Sequence, residues 1–302
     1  MNYRDATEKY RRGIESYNAM FDRLGWPKDE NFYRVCNWGT TVFSSDAMVN
    51  VNAYYTQGYW EPIYYKTLDH HWNIGDGTMN GSLLNGTKYF LEPKTDEGMN
   101  ESVLANGYSY WGEIEGVYPN LEADEPQMLR VYSNDRFAGI GWMTYDVQYY
   151  DNLTVTADVY AKINDPEISI EKTALINRDT VGDLQPFLDA IKATDNHNYR
   201  VTTKKYRTNS IELECETGSD GVLMLAEIYY NGWKAYVDGV PTHIMEGDYC
   251  RKALYLTAGK HDIKFVYRPD SFVVGMVISS VTLLLSIIAL VVIGIRKKEA
   301  QQ

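Results

Sequence analysis

The most distinctive pattern in the chain is a long apolar run near its C-terminus. No residue from Phe272 to Ile295 is charged, Asp270 precedes the run and Arg296–Lys298 follow it. As a helix, these 24 residues would extend about 36 Å, which is enough to cross a hydrocarbon core of about 30 Å. The run therefore predicts a transmembrane helix over residues 271–296 with the lipid bilayer as its partner; the alternative is a buried core helix.

The basic cluster after this run predicts how the helix is oriented. Basic residues next to a membrane helix favour the cytoplasm, so we expect residues 297–302 inside the cell and residues 1–270 outside. Residues 1–12 are polar and charged and do not resemble a signal peptide. We therefore expect the chain to be the C-terminal region of a longer polytopic protein, whose earlier helices export it. A tail-anchored protein with a cytoplasmic domain is the alternative.

The segment before the apolar run alternates in the way that β-strands do. Ile211, Leu213 and Cys215 alternate with glutamates, which is typical of a strand with one buried face. Asp238-Gly239 is a strong hairpin turn signal. Further strands are predicted at Val222–Ala226, Trp233–Val237, Arg251–Leu256 and His261–Tyr267. Together they predict an antiparallel β-sandwich.

The same domain is expected to begin near residue 127. Strand-like runs lie at Met128–Tyr132, Thr144–Tyr149 and Thr154–Tyr160, and Val181–Lys192 has helical spacing. The predicted β-sandwich domain therefore covers residues 127–270 and contains an inserted helix near 181–192.

Residues 1–126 are expected to form a mixed α+β unit. Apolar residues at helical spacing predict an amphipathic helix over residues 5–23, which Gly25–Pro27 should end. Short aromatic runs follow at Phe32–Cys36, Tyr54–Tyr65, Lys88–Leu91 and Tyr108–Ile114. The predicted fold class of the whole chain is α+β, mainly β.

Composition narrows the possible functions. The 26 tyrosines favour strands, and the formal net charge of −12 argues against nucleic acid as a partner. The three cysteines Cys36, Cys215 and Cys250 form no CxxC pair, so a zinc knuckle is not expected. Cys215 and Cys250 could pair, and the sequence leaves the disulfide state open.

Motifs in the last module resemble a known family. Glu227–Gly239 reads EIYYNGWKAYVDG, and Ala258–His261 (AGKH) and Phe265–Pro269 (FVYRP) follow it before the apolar run. This order resembles the C-terminal region of bacterial YfhO-type membrane proteins. Weaker similarities lie at Tyr33–Val35, at Leu83–Tyr89 and at Val131–Asn134.

The resemblance implies a polytopic membrane glycosyltransferase of the C type, which takes sugar from a polyprenyl-phosphate donor and acts on cell-envelope glycans. Its catalytic acids would lie in an early external loop, so no catalytic residue and no cofactor is expected in this chain. A structural role in the family motifs is implied for Trp233, Asp238, Gly239, Gly259 and His261. A non-enzymatic, membrane-anchored surface module that binds carbohydrate or serves as structure is the alternative, and an independent hydrolase is a third possibility.

Other chemical signals are weak. GxSxG, Walker and GxGxxG motifs are absent from the sequence. Adjacent His70 and His71 would point to opposite faces of a strand, so no metal site is expected there. The carboxylate pairs Glu113 with Glu115 and Glu122 with Asp124 fit the solvated face of a strand better than acid–base catalysis.

One aromatic segment is a candidate for binding a glycan or a lipid-linked sugar. Rings with polar edges can stack on the apolar faces of sugars, while neighbouring amides bond hydroxyl groups. The alternative is that these rings belong to the core of the first unit or pack on membrane helices. The candidate contact residues are Tyr54, Tyr55, Tyr59, Trp60, Tyr64 and Tyr65.

Overall fold

A computed structural model describes residues 80–95, 97–115, 127–151, 156–191 and 198–299, together with residues 15, 18–19, 21–25, 28, 30 and 32–37. The first strands are β1 (Arg34–Asn37), β2 (Thr87–Pro93), β3 (Tyr108–Glu115), β4 (Met128–Asn134), β5 (Gly141–Thr144), β6 (Asp146–Tyr150) and β7 (Thr173–Asn177). The others are β8 (Tyr199–Arg207), β9 (Ser210–Thr217), β10 (Gly221–Ile228), β11 (Trp233–Val237), β12 (Val240–Thr242), β13 (Met245–Gly247), β14 (Arg251–Leu256) and β15 (Gly259–Tyr267). The labelled helices are α1 (Gly81–Asn85), α2 (Glu101–Ala105), α3 (Thr156–Ile163), α4 (Gln185–Asp189) and α5 (Asp270–Glu299).

These strands form three mostly antiparallel sheets, so the predicted mainly β class is confirmed. Sheet I has the order β1-β2-β4-β3, sheet II the order β5-β10-β14-β13-β7-β6, and sheet III the order β12-β11-β15-β9-β8. The pairs β1–β2 and β6–β7 are parallel. Strand β4, which begins the predicted second domain, is hydrogen-bonded between β2 and β3 of sheet I.

Sheets II and III pack face to face around the largest apolar core. Leu223 and Leu254 of sheet II belong to the same buried cluster as Leu213, Ile263 and Phe265 of sheet III. The predicted alternation of β9 is present, because its apolar side chains are buried while its glutamates lie on the opposite face. Strand β10 is buried along most of its length and lies inside sheet II, as its continuous apolar sequence predicts.

Two predicted elements differ in the structure. Residues Thr154–Tyr160 were expected to be strand-like, but α3 begins at Thr156. Asp158 in its first turn and Lys162 in its last turn complement the helix dipole. This placement of charges favours a helix, although the alternating apolar residues had suggested a strand. The helix expected over Val181–Lys192 is shorter, because a 3-10 turn at Gly182–Leu184 precedes α4.

The predicted N-terminal helix is present at the described positions. Residues 15, 18–19 and 21–24 are helical, and Phe21 and Leu24 are buried. Gly25 follows with a φ of 80°, the left-handed conformation that often ends a helix.

Helix α5 has the length and composition of a membrane span. Its segment Asp270–Ile293 has a mean hydropathy of 2.8, and none of its most apolar window is buried by the rest of the chain. The alternative of a buried core helix is therefore wrong. Ser280, Thr282 and Ser286 each donate to the carbonyl four residues earlier, which satisfies their hydroxyl groups within the helix.

Candidate functional site

The loop between β10 and β11 packs against the chain that enters the membrane helix. Gly232 in this loop has a φ of 100°, and a Cβ there would lie 2.9 Å from Cγ of Pro269 and 3.0 Å from Cε2 of Tyr267. Its carbonyl accepts a hydrogen bond of 2.7 Å from the backbone N–H of Arg268. Only glycine fits this close approach, so the loop is held directly above α5.

The predicted hairpin follows this loop. Asp238 and Gly239 connect β11 to β12 with φ values of 52° and 80°, as a type I′ turn requires. Oδ2 of Asp238 lies 2.8 Å from Nδ1 of His261, and Oδ1 accepts a bond of 2.8 Å from the N–H of Asp262. Gly259, with a φ of 138°, begins the strand that carries His261. The hairpin is therefore fastened to β15 at its tip.

A concave surface lies between this loop and the hairpin. Its volume is about 360 Å³, and we call it the aromatic groove. Trp233 is half-buried in it, while Tyr230 is 49% exposed. Its wall at His243 is fixed, because Nε2 of His243 lies 2.6 Å from the carbonyl of Thr180. The side chains that define it are Tyr229, Tyr230, Asn231, Trp233, Tyr236 and His243.

The ammonium group of a buried lysine contacts the ring of Trp233. Nζ of Lys252 lies 4.1 Å from the centroid of the Trp233 ring, and Tyr267 packs beside the same ring at 5.4 Å between centroids. Lys252 is 1% exposed, and burial lowers its pKa to about 8, although Glu227 opposes this shift. The orientation of the indole is therefore set by the core of the sandwich.

Glu227 is the centre of a buried polar network that joins sheet I to the sandwich. It is paired with Arg34 of β1, and it accepts a bond of 2.8 Å from the hydroxyl of Tyr206. Nη2 of Arg34 donates to the same hydroxyl at 2.9 Å. Burial raises the pKa of Glu227, but Arg34 and Lys252 outweigh burial and hold that pKa below its ordinary value. Glu227 is therefore an ionised structural group, unsuited to donate a proton.

The chemistry of the aromatic groove is that of binding. Among the residues that the structure describes, no carboxylate lines it. Rings with polar edges and an exposed amide suit a sugar, whose carbon–hydrogen faces stack on rings while its hydroxyl groups form hydrogen bonds. Acid–base catalysis of a sugar transfer would need a carboxyl group from elsewhere.

The candidate residues from the sequence are only partly within the described structure. Tyr54, Tyr55, Tyr59, Trp60, Tyr64 and Tyr65 lie outside the described residues, as do His70, His71, Glu122 and Asp124. Glu113 on β3 is paired with Lys94 at 2.7 Å, which agrees with a solvated strand face. Asp238, Gly239, Gly259 and His261 come together at the hairpin tip and the start of β15. Trp233 lies at the other end of β11, opposite Tyr267 at the end of β15.

Metal and disulfide chemistry receive no support from the described residues. No group of three or more His, Cys, Asp or Glu side chains among them could hold a metal ion. Cys36, Cys215 and Cys250 are buried and form no disulfide, so the possible Cys215–Cys250 bond is absent. Burial raises the pKa of Cys215 to about 12, which makes this thiol unreactive.

Sequence patterns alone did not predict a functional role for Tyr229, Tyr230 or Lys252. The motif EIYYNGWKAY carries four rings in eight residues from Tyr229 to Tyr236, and such density within a turn-rich segment was an available signal. Arg251 and Lys252 begin strand β14, whose remaining residues are mostly apolar, and such a position predicts buried cations that must have partners.

Part of the chain matches a known protein family. Residues 130–279 match the family model described as bacterial membrane protein YfhO. The matched region contains the loop, the hairpin, β15 and the first part of the membrane helix. No curated protein and no solved structure matches the chain.

Proposed function

We propose that this chain, whose residues 130–279 match the family described as bacterial membrane protein YfhO, is the extracytoplasmic C-terminal portion of a membrane glycosyltransferase. The parent enzyme would take sugar from a polyprenyl-phosphate donor and act on cell-envelope glycans. Its active site would lie in membrane helices and loops that precede this chain in the parent protein. The aromatic groove would bind the sugar or glycan at the membrane surface.

The position of the aromatic groove is the observation that carries this proposal. Gly232 places the groove loop against Tyr267 and Pro269, and α5 begins at Asp270. A sugar linked to a membrane lipid by phosphate has to stay close to the bilayer surface. A rigid ring platform in contact with the start of a membrane helix is suited to that substrate class.

Two features support an extracytoplasmic location. Arg296–Lys298 follow the apolar part of α5, and positive charge favours the cytoplasmic side of the membrane. The opposite end of α5 carries the sheets, so they would lie outside the cell.

A cysteine-labelling experiment tests this orientation. Val240 at the hairpin is 64% exposed, and the described native cysteines are all buried. Val240→Cys should react with a membrane-impermeant maleimide on intact cells, whereas Gln302→Cys should react only after permeabilisation. The reverse pattern would invert the topology and remove the sugar-transfer proposal.

Replacing Tyr230 tests the groove with little damage to the fold. Tyr230→Ala removes a ring that is 49% exposed, and Tyr110→Ala removes a ring on sheet I that is 43% exposed. We expect Tyr230→Ala to weaken glycan binding by about tenfold, since a stacked ring contributes roughly 1 to 1.5 kcal/mol. Tyr110→Ala should leave binding unchanged. Equal binding by both variants and the parent protein would exclude the groove as the glycan site.

The alternative function is a non-enzymatic carbohydrate-binding module of the cell surface. The lack of a carboxylate in the groove, among the described residues, favours it. Membranes containing the parent protein should transfer labelled sugar from a polyprenyl-phosphate donor under the first proposal. Glycan binding without any transfer would support the module instead.

The tyrosine-rich segment Tyr54–Tyr65 is still predicted to make a second contact with the glycan. Tyr59→Ala and Trp60→Ala in the parent protein should lower transfer or glycan binding without unfolding it. Unchanged transfer by a folded variant would remove this second contact.

A further inference from the structure

The outer face of sheet III carries a second concave surface with a different chemistry. This surface, which we call the basic groove, has a volume of about 660 Å³. Its net positive lining is unusual in a chain whose formal net charge is −12. Its charged lining residues are Lys204, Lys234, Lys264 and Arg268, with Glu212 and Asp262 of opposite sign.

The strand alternation of β15 and β11 produces this groove. Ile263 and Phe265 are buried in the sandwich core, so Lys264 and Val266 project from the opposite face. Lys234 of β11 is directly opposite Val266 in the strand register. Basic side chains from neighbouring strands thus flank an apolar floor.

The charge is uneven along the groove. Asp262 lies at the end away from the membrane, and Arg268 lies at the end where α5 begins. These residues are six positions apart, or roughly 20 Å along an extended chain. Midway between them, Lys264 is neutralised by Glu212 at 3.3 Å. The excess positive charge is therefore concentrated at the membrane end.

Two cations at the membrane end are available to a ligand. Within the described residues, no side-chain hydrogen bond or ion pair engages the exposed guanidinium of Arg268, although its charge lies near enough to Asp270 to interact electrostatically with that carboxylate. Nζ of Lys234 lies 2.7 Å from Asp270, but the Asp270 side chain is 82% exposed. An exposed pair of this kind is weak in water, so Asp270 can turn away when a stronger anion approaches.

The location of these cations relative to the bilayer identifies the anion. Lys234 touches the first residue of the membrane helix, and Arg268 is two residues before it. The headgroup layer extends roughly 5 to 8 Å beyond the hydrocarbon core on each side. Lys234 and Arg268 therefore lie within the depth of lipid phosphates. We propose that the membrane end of the basic groove binds the phosphate of an anionic phospholipid from the adjoining leaflet.

The geometry suits a lipid phosphate in two respects. A guanidinium can donate two parallel hydrogen bonds to a phosphate, and an ammonium adds a third donor from the facing strand. Val266, which is beside Lys234 and two residues before Arg268, lines the groove and offers an apolar surface to the glycerol part of the lipid. This binding does not require that the protein transfers sugar.

Thermal unfolding in lipid nanodiscs tests the proposal on the whole chain. The chain would be reconstituted in phosphatidylcholine with an increasing fraction of phosphatidylglycerol, since a ligand that binds the folded state raises the Tm. The basic tail is also attracted to anionic lipid, so every protein would carry Arg296→Gln, Lys297→Gln and Lys298→Gln as a common background. Phosphatidylglycerol should raise the Tm of this background protein.

The key comparison is between two variants on the same sheet face. Lys234→Gln with Arg268→Gln should weaken phosphatidylglycerol binding by about thirtyfold, since each cation near an anionic surface contributes roughly a factor of five. Lys260→Gln removes an exposed cation at the far end of β15, paired with Glu214 at 3.1 Å, and should retain the full Tm shift. Lys234→Arg with Arg268→Lys keeps the charge and should also retain it.

Further outcomes separate the sources of phosphate. Soluble glycerol 3-phosphate at millimolar concentration should give no shift if the ligand is a membrane lipid, and an equal shift would mean that the groove binds free phosphate. An undiminished phosphatidylglycerol shift in Lys234→Gln with Arg268→Gln would overturn the proposal. If the double variant unfolds in pure phosphatidylcholine, Arg268→Gln alone provides the test. This single variant keeps the Lys234–Asp270 pair, and it should also reduce the Tm shift that phosphatidylglycerol causes.

Discussion

Nδ1 of His261 and Oδ2 of Asp238 lie 2.8 Å apart and fasten the hairpin tip to β15. The same carboxylate accepts a hydrogen bond from the N–H of Asp262. Both bonds hold the pKa of Asp238 below its ordinary value, and the bond to His261 has the larger effect. A carboxyl group whose pKa falls on folding stabilises the fold above its unfolded pKa. That stabilisation is lost as the pH falls through the folded pKa.

Acid should therefore loosen the hairpin locally. We expect the protection of the Asp238 and Asp262 amides from hydrogen exchange to fall more steeply below about pH 4 than the protection of amides in β10. Asp238→Asn keeps an acceptor and tolerates the left-handed turn, so it should abolish this steep response while preserving the hairpin. Persistence of the response in Asp238→Asn would assign it to another group.

Gly232→Ala should disturb the loop above the membrane helix. Its Cβ would lie 2.9 Å from Pro269 at a φ of 100°, so we expect a loss of about 2 kcal/mol or more in unfolding free energy. Gly239→Asn is the matched control, because that position has a φ of 80° with open space around it. Its loss should stay below about 1 kcal/mol. Thermal unfolding of both variants in detergent gives the comparison, and similar losses would contradict the packing argument.

Breaking the Arg34–Glu227 pair should destabilise the contact between sheet I and the sandwich. Arg34→Met leaves a buried carboxylate with fewer partners, and we expect a cost of about 3 to 5 kcal/mol. Arg34→Met with Glu227→Met should recover part of this loss, since it removes both charges of the pair while Lys252 keeps its contact with the Trp233 ring. Lys94→Gln, which breaks an exposed pair with Glu113, should have little effect. Additive losses in the double variant would mean that the pair does not act as a unit.

Asp248 should make the fold less stable as the pH rises. Burial raises its pKa to about 7, and Oδ1 accepts the N–H of Leu175 at 3.0 Å. The folded state then holds a proton that the unfolded state releases near pH 4. The free energy of unfolding should therefore fall by a few kcal/mol between about pH 4 and pH 7.

Asp248→Asn should flatten this dependence and raise stability at pH 8. Asparagine tolerates the φ of 42° at this position and still offers an acceptor to Leu175. Asp183→Asn, at an exposed position, should leave the pH dependence of unfolding unchanged. Chemical denaturation across this pH range measures both variants, and a slope retained by Asp248→Asn would disprove the assignment.

Short sequence patterns correctly predicted the turns and strands that depend mainly on interactions between residues close in sequence. The Asp238-Gly239 turn formed because adjacent residues supply the two left-handed conformations that a type I′ turn needs. Strand β9 was predicted correctly because every second side chain of a strand faces the same side, whatever the strand packs against. The strand predicted at Thr154–Tyr160 was wrong from Thr156 onwards, because a short run can satisfy the strand and helix periods at once and packing decides between them.

The candidate binding sites were harder to predict from the sequence than the strands and turns. The glycan segment that includes Trp60 lies outside the described residues, so its role stays a prediction. The aromatic groove was not predicted as a site, although the motif that contains Trp233 was recognised. Rings close in sequence can be counted, but which of them share one concave surface depends on the loop that bends between them.

The sequence by itself determined the membrane helix and the hairpin. An uncharged run of this length is unfavourable in water whatever surrounds it, and a turn depends on neighbouring dihedral angles. Tertiary structure alone decided that Arg34 meets Glu227 across 193 positions and that Lys234 and Arg268 line one groove beside the start of α5. Strand order and sheet packing arise from contacts between distant segments, and no local pattern encodes which distant residues will meet.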